Sequence, residues 1–185
     1  MKLTSIPLFP LPICLMPGGR TELRIFEQRY KRLVSEASNN LYGFGLCLYQ
    51  HEQQIIPGSG CLARIIDFEQ LPDGLLGITI EGTDRFQLDR FVVEEDGLKR
   101  GEITLQTAWP ASPLSEEEQH IARQLQTILE QHQPKAKYSD DFYKDITWVC
   151  QRWLEILPID LAAKHQLMMQ ADHQMTLDLL QQLIE

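Results

Sequence analysis

The sequence predicts an α+β chain: a mostly antiparallel β-barrel with one inserted helix, followed by a small C-terminal α-helical bundle. Three observations predict it. Up to residue 109 the chain is a series of short β-rich runs separated by turns containing Gly and Pro, the pattern of a closed or nearly closed sheet. One segment of that half, residues 26–37, switches to helical period. Past Trp109-Pro110-Ala111-Ser112-Pro113 the strand signals stop, and the apolar stripes take helical spacing. The boundaries drawn from this are a barrel subdomain over residues 1–109 and a helical bundle over residues 114–185.

In the first half, residues 3–8 and 13–16 are short apolar runs stopped by prolines, and residues 21–25 continue as strand. Phe26, Tyr30, Leu33, Val34 and Ala37 then fall at i, i+4, i+7, i+8 and i+11, one face of a helix, with Asn39-Asn40 at its end. Residues 42–49 read as strand and Pro57-Gly58-Ser59-Gly60 as a loop. Residues 61–68 read as strand. Leu71-Pro72-Asp73-Gly74 is a turn, with Pro at its second position and Gly at its fourth. Residues 75–80, 86–93 and 102–108 complete the strands. Gly77 inside its strand signals a bulge or a close backbone approach, and Glu94-Glu95-Asp96 before Gly97 reads as a hairpin turn.

In the second half, Ser115 and Glu118 form a capping box ahead of the stripe Ile121, Leu125, Ile128 and Leu129. Pro134 ends that helix. A second starts at Ser139 or Asp140 and carries Phe142, Ile146, Val149, Trp153 and Ile156 on one side. Pro158 closes it. Asp160 caps a short helix through Met169, and Asp172 or His173 opens the last one, lined by Leu177, Leu180 and Leu183/Ile184.

Composition excludes several function classes. Hydrophobic residues make up 43% and charged residues 23%, enough to bury a sizeable core. The net charge is −9, and residues 110–185 hold 12 acidic against 6 basic side chains. A nucleic-acid binder carries a basic field to neutralise phosphates; here only Arg29, Lys31 and Arg32 cluster, and they read as a solvated helix face. No apolar run approaches the roughly 20 residues of a membrane span, and prolines at 7, 10, 12 and 17 interrupt the only stretch resembling a leader. The expectation is a cytoplasmic protein. Cys14, Cys47, Cys61 and Cys150 are widely spaced without a CxxC pair, as expected of buried thiols in a reducing compartment.

No chemistry-bearing motif survives inspection. No Gly is followed by Lys, which excludes a standard P-loop. Gly18-Gly19 and the glycines around Ser59 follow prolines and precede strands, so neither opens a helix onto a phosphate. Ser59 lacks the Gly-x-Ser-x-Gly frame of a nucleophile elbow. His51, His120, His132, His165 and His173 make no i, i+4 pair for zinc and read as surface histidines. The runs Glu116-Glu117-Glu118 and Asp140-Asp141 sit where helix first turns favour negative charge. The sequence therefore predicts no catalytic residue, no cofactor and no metal.

Three segments together carry a family resemblance. One is Ile6-Pro7-Leu8-Phe9-Pro10-Leu11, with Met16-Pro17-Gly18-Gly19 and Leu23-Arg24-Ile25-Phe26-Glu27-Gln28-Arg29-Tyr30. The second is Gly60-Cys61-Leu62-Ala63-Arg64-Ile65-Ile66, with Leu71-Pro72-Asp73-Gly74 and Ile80-Glu81-Gly82-Thr83-Asp84-Arg85-Phe86. The third is Leu157-Pro158-Ile159-Asp160 leading into residues 164–168. In order and spacing the chain resembles the amino-terminal, substrate-binding domain of Lon proteases, in a stand-alone form lacking the ATPase and Ser-Lys peptidase domains. The resemblance implies a PUA-like barrel followed by helices, and a non-catalytic module that binds proteins or peptides, an adaptor or chaperone-like factor in protein quality control. The partners it implies are unfolded or exposed polypeptide segments or a partner protein. The alternatives are a PUA-like RNA-binding module and a small-molecule enzyme. The candidate polypeptide-binding surface is Arg24, Phe26, Arg29, Tyr30, Phe68 and Leu71, joining the inserted helix to the Leu-Pro-Asp-Gly hairpin. Arg85 is expected to pair with a carboxylate such as Glu81.

Overall fold

The computed structural model describes residues 1–50, 54–132 and 137–184; His51 and Pro134 lie outside them. The chain divides into two compact units, Met1–Gln106 and Thr107–Glu185. The first holds six strands and a helix: β1 (Lys2–Leu11), β2 (Arg20–Ile25), α1 (Gln28–Ser38), β3 (Phe44–Gln50), β4 (Gln54–Gln70), β5 (Leu76–Val93) and β6 (Lys99–Leu105). The second holds α2 (Gln119–His132), a 3-10 helix (Asp140–Lys144), α3 (Ile146–Ile156), α4 (Leu161–Met168) and α5 (Gln174–Leu183). The fold is mixed α+β.

The sheet order is β2-β5-β4-β3-β1-β6, and β6 also pairs with β5. Hydrogen bonding therefore runs from β5 through β4, β3, β1 and β6 and returns to β5. Among the described residues, only β1 and β3 pair in parallel. β5 makes the return possible because it is long: its first half pairs with β2 and β4, and its second half with β6. Two separate sequence runs, 75–80 and 86–93, are thus one strand. Gly82 marks where β5 leaves β2. It exchanges hydrogen bonds with the turn before β2, Gly82 N–H to Gly19 O at 2.9 Å and Gly18 N–H to Gly82 O at 2.8 Å.

Several sequence readings change. β1 continues through Pro7 and Pro10 to Leu11. Its pairing with β6 ends at Leu8 and that with β3 begins there, so each proline lies where one flank of the strand is open and a missing N–H costs little. Residues 13–16 form no strand, although Cys14, Leu15 and Met16 are buried. The expected loop at residues 57–60 is part of β4. Between the pairs Cys47–Gly60 and Tyr49–Ile55, residues 56–59 face a single residue of β3, so the turn chemistry is spent on a bulge. Gly60 is required because the Phe86 ring and the Leu46 carbonyl fill the space a Cβ would take.

Phe26 precedes α1, whose buried side is Leu33, Val34 and Ala37. These pack with Phe9, Ile25, Phe44, Ile78 and Ile80 in one core cluster. A second cluster holds Leu3, Ile6, Leu8, Cys47, Phe86 and Ile103. α1 is also tied by charge. Arg32 bonds Glu36, Glu94 and Asp96, and Arg100 bonds Glu36 and Glu94, linking the helix to the β5–β6 turn.

In the second unit the Glu118 carboxylate accepts from Ser115 N–H at 2.8 Å. The single helix expected from Ser139 onward is two elements. Ser139 caps the 3-10 helix, and Asp145 accepts from Thr147 N–H to start α3 afresh. Asp160 caps α4 as expected, accepting from Ala163 N–H at 2.6 Å. α3 is buried nearly throughout. Its Arg152 is fully buried, bonds both oxygens of Glu155 at 2.8 and 3.0 Å, and lies over the Trp148 ring. Tyr138, Phe142 and Tyr143 close around the same indole. All four cysteines are buried and none is in a disulfide. No helix among the described residues is long and apolar enough to cross a membrane.

Candidate functional site

The strands β2, β5 and β4 form a twisted ribbon whose register is fixed residue by residue. Arg24 lies opposite Gly77, which lies opposite Glu69. Leu23, Ile78 and Phe68 form the next row, and Ile25, Leu76 and Gln70 the row at the end. Side chains alternate between faces along each strand, so Ile25 and Ile78 point into the core while Arg24 and Glu69 stand on the opposite face. Phe26 leaves the sheet at the end of β2, and Leu71 leaves it at the same end of β4. Between β4 and β5 the expected turn is in place: Gly74 has φ +82°, Gly74 N–H donates to Leu71 O, and Leu71 N–H donates to Leu75 O.

The predicted surface residues separate into two groups. Arg24, Phe26, Phe68 and Leu71 all lie at this end of the ribbon, with Phe68 in the row of Ile78 on the face opposite Arg24 and Glu69. Phe26 is 62% exposed and Phe68 52% exposed, well above what structural packing alone asks of phenylalanine. Arg24 bonds Asp73 of the turn, which ties the end of β2 to the β4–β5 hairpin. Arg29 and Tyr30 face elsewhere. Tyr30 stacks on Phe9 with ring centroids 4.0 Å apart, and burial raises its pKa. Arg29 bonds Glu27 and donates to Gly97 O in the β5–β6 turn at 3.2 Å. Both fasten α1 to its own unit.

A shallow depression of about 240 Å³ opens beside the first group, lined by Glu22, Leu23, Arg24, Glu69, Leu71, Gly77, Ile78 and Thr79. Of these, sequence reasoning placed only Arg24 and Leu71 in the surface. Gly77 was the available signal for the rest. The Glu69 and Leu71 side chains lean over it, 2.9 and 3.1 Å from where a Cβ would stand, so the glycine is the floor of the depression. Glu81, farther along the same face, is held by Arg20 at 2.8 Å and Arg64 at 2.6 Å. Burial opposes its ionisation, but the two guanidinium groups more than offset that and keep its carboxyl below the usual range. Arg85, expected beside Glu81, is itself buried.

The site can offer apolar rings, a carboxylate-rich face and strand backbone. Among the described residues, no three His, Cys, Asp or Glu side chains are placed to hold a metal ion.

The comparisons with known proteins converge on one family. The ATP-dependent protease La (LON) substrate-binding domain model matches residues 5–185. A Lon protease from Xanthomonas oryzae pv. oryzae is 38% identical over 73 residues, which are 40% of this chain and 8% of that protein; the match thus takes in a small part of its relative. The crystal structure of a Lon N-terminal domain protein from Xanthomonas campestris is similar with a TM-score of 0.75 at 31% identity, over 99% of this chain and 100% of that one. The N-terminal domain of the Mycobacterium avium complex Lon protease shares the fold, with a TM-score of 0.60 at 16% identity over 95% of both chains.

Proposed function

From the premise that this chain belongs to the Lon substrate-binding domain family, we propose that it binds exposed segments of other polypeptides at the end of the β2–β5–β4 ribbon, without catalysing a reaction on them. The observation that carries this is that Phe26 and Phe68, at the same end of the ribbon, are both more than half exposed. Full burial of a phenylalanine side chain stabilises by about 1.5–3 kcal/mol, so covering the exposed halves of two rings contributes about 2–3 kcal/mol to a complex. Such rings accept many apolar sequences, as a module that handles unfolded chains requires.

In this reading the returning sheet is a PUA-like barrel, the helical unit is a second subdomain from about residue 114, and the protein serves as an adaptor or chaperone-like factor in cytoplasmic protein quality control. The test is fluorescence anisotropy with a permanently unfolded probe, reduced and carbamidomethylated lysozyme, against its folded form. Selective binding of the unfolded probe, weakened about tenfold or more by Phe26→Ala with Phe68→Ala, supports the reading. Equal binding of both probes, or no binding of either, overturns it.

A further inference from the structure

The second half of β5 has an open flank. Its pairing with β2 ends at Arg20–Glu81 and that with β4 at Gly60–Phe86. Beyond Phe86, among the described residues, it pairs with β6 alone. The ladder decides which backbone groups reach the open side. Glu94 N–H donates to Leu98 O, so Glu94 faces the β6 side. Backbone groups alternate along an antiparallel strand, so Val92 and Arg90 face β6 as well, while Phe91 and Val93 direct N–H and C=O outward. Phe91, Val92 and Val93 are all exposed, and successive side chains point to opposite faces, so the edge is apolar on both. Edges left in solvent are blunted by charge, proline or a bulge. None of these devices occupies residues 91–93; the nearest bulge lies between Leu88 and Arg90.

We propose that this edge pairs with the same edge of a second copy of the chain, antiparallel, with the twofold axis at Val92. A twofold contact sets each residue against one equally far beyond the axis, and outward-facing residues must meet outward-facing ones. Three axes within the apolar stretch satisfy both conditions. An axis at Phe91 sets Val92 against Arg90, and one at Val93 sets Val92 against Glu94. Only the axis at Val92 sets apolar against apolar throughout: Phe91 meets Val93 of the second copy, Val92 meets its own counterpart, and Val93 meets Phe91. The two Phe91–Val93 pairs are the hydrogen-bonded ones and exchange about four main-chain hydrogen bonds. The next row sets Arg90 against Glu94, which are opposite charges. Neither gives up a partner there: Arg90 keeps Glu102, and Glu94 keeps Arg32 and Arg100. The edge is thus complementary to itself in backbone pattern, in apolar rows and in charge.

Sedimentation velocity of the full chain from about 1 μM to about 500 μM should follow a monomer–dimer equilibrium. Val92→Glu and Val92→Lys each set like charges face to face at the axis, and each should weaken dimerisation about tenfold or more. Their mixture, with opposite charges at the axis, should associate again. Val92→Cys reports the register directly. The pair at the axis is not hydrogen-bonded, which brings its Cα atoms to about 4.5 Å, within disulfide reach. The four native cysteines are buried, so mild oxidation should cross-link Val92→Cys and leave Arg90→Cys, set opposite Glu94, without a cross-link. A chain that stays monomeric throughout, a dimer that neither charge at Val92 weakens, a mixture that stays apart, or Val92→Cys left without a cross-link overturns the proposal. So does a monomer in which Val92→Glu weakens binding of the unfolded lysozyme probe, which assigns the edge to a foreign strand. Phe26 and Phe68 take no part in this junction, so the polypeptide-binding reading stands or falls separately.

Discussion

Replacing Gly82 with alanine tests whether the approach of the residue 16–19 turn to β5 holds the sheet unit together. A Cβ at Gly82 would lie well inside 3.0 Å of the Met16 carbonyl oxygen and 3.0 Å from Cys61 Sγ. Neither neighbour yields cheaply: one is backbone and the other is fully buried. The turn must retreat, which stretches the reciprocal hydrogen bonds between Gly82 and the glycines at 18 and 19. Two weakened hydrogen bonds cost about 1 kcal/mol each, and overpacking costs about 1–3 kcal/mol more. The expected loss is about 3–5 kcal/mol. Gly74→Ala is the control. Nothing lies within 4 Å of its Cβ, but its φ of +82° imposes a strain of about 1 kcal/mol. Urea unfolding followed by circular dichroism in the strand region measures both, since the three tryptophans all lie in the second unit. A loss at Gly82 no larger than that at Gly74 refutes the argument.

Other contacts in the protein set further outcomes. Glu155→Gln, which leaves the buried Arg152 without its carboxylate, should destabilise by about 3 kcal/mol, whereas Arg152→Met should cost less; equal urea midpoints for the two would contradict this. Glu81 and Glu94 both have carboxyls lowered by arginine partners. Their stabilisation is present above the unfolded carboxylate range and is lost as pH falls through the folded values. Unfolding midpoints should therefore hold from pH 7 to about 5 and decline below about 4.3, less steeply in Glu81→Gln. Burial pushes the Cys47 thiol up to about 12 and raises Cys150, and Cys14 and Cys61 are buried as well. A thiol reagent at pH 8 should label fewer than one cysteine per folded chain within minutes and all four on denaturation; rapid native labelling would show that the cores open.

What the sequence made legible was local. The Leu71–Gly74 turn, the Asp160 cap and the Glu118–Ser115 contact depend on residues within four positions of one another, and each formed as its chemistry requires. What stayed hidden depended on distant partners. Pro57 to Gly60 carries turn chemistry, yet Phe86 and β3 hold it inside a strand. Pro10 reads as a strand end, and only the absence of a β6 partner there lets β1 continue. Two runs joined into β5 because the Met16–Gly19 turn meets the chain at Gly82. The candidate surface followed the same rule. Phe26 and Tyr30 are four residues apart and looked like one helix face, but the helix begins at Gln28. Tyr30 therefore packs on Phe9 while Phe26 stays exposed past the end of β2, and which residues share a face with Arg24 emerged only with the β2–β5–β4 register.

The most direct measurement of polypeptide binding at this ribbon end is the dissociation constant of unfolded, carbamidomethylated lysozyme for the unaltered chain and for the Phe26→Ala, Phe68→Ala double variant, with urea unfolding run in parallel to establish that the variant is folded. A folded double variant should bind about tenfold or more weakly, while Tyr30→Phe, at a ring engaged with Phe9, should bind like the unaltered chain. A folded double variant that binds the unfolded probe with unchanged affinity contradicts it.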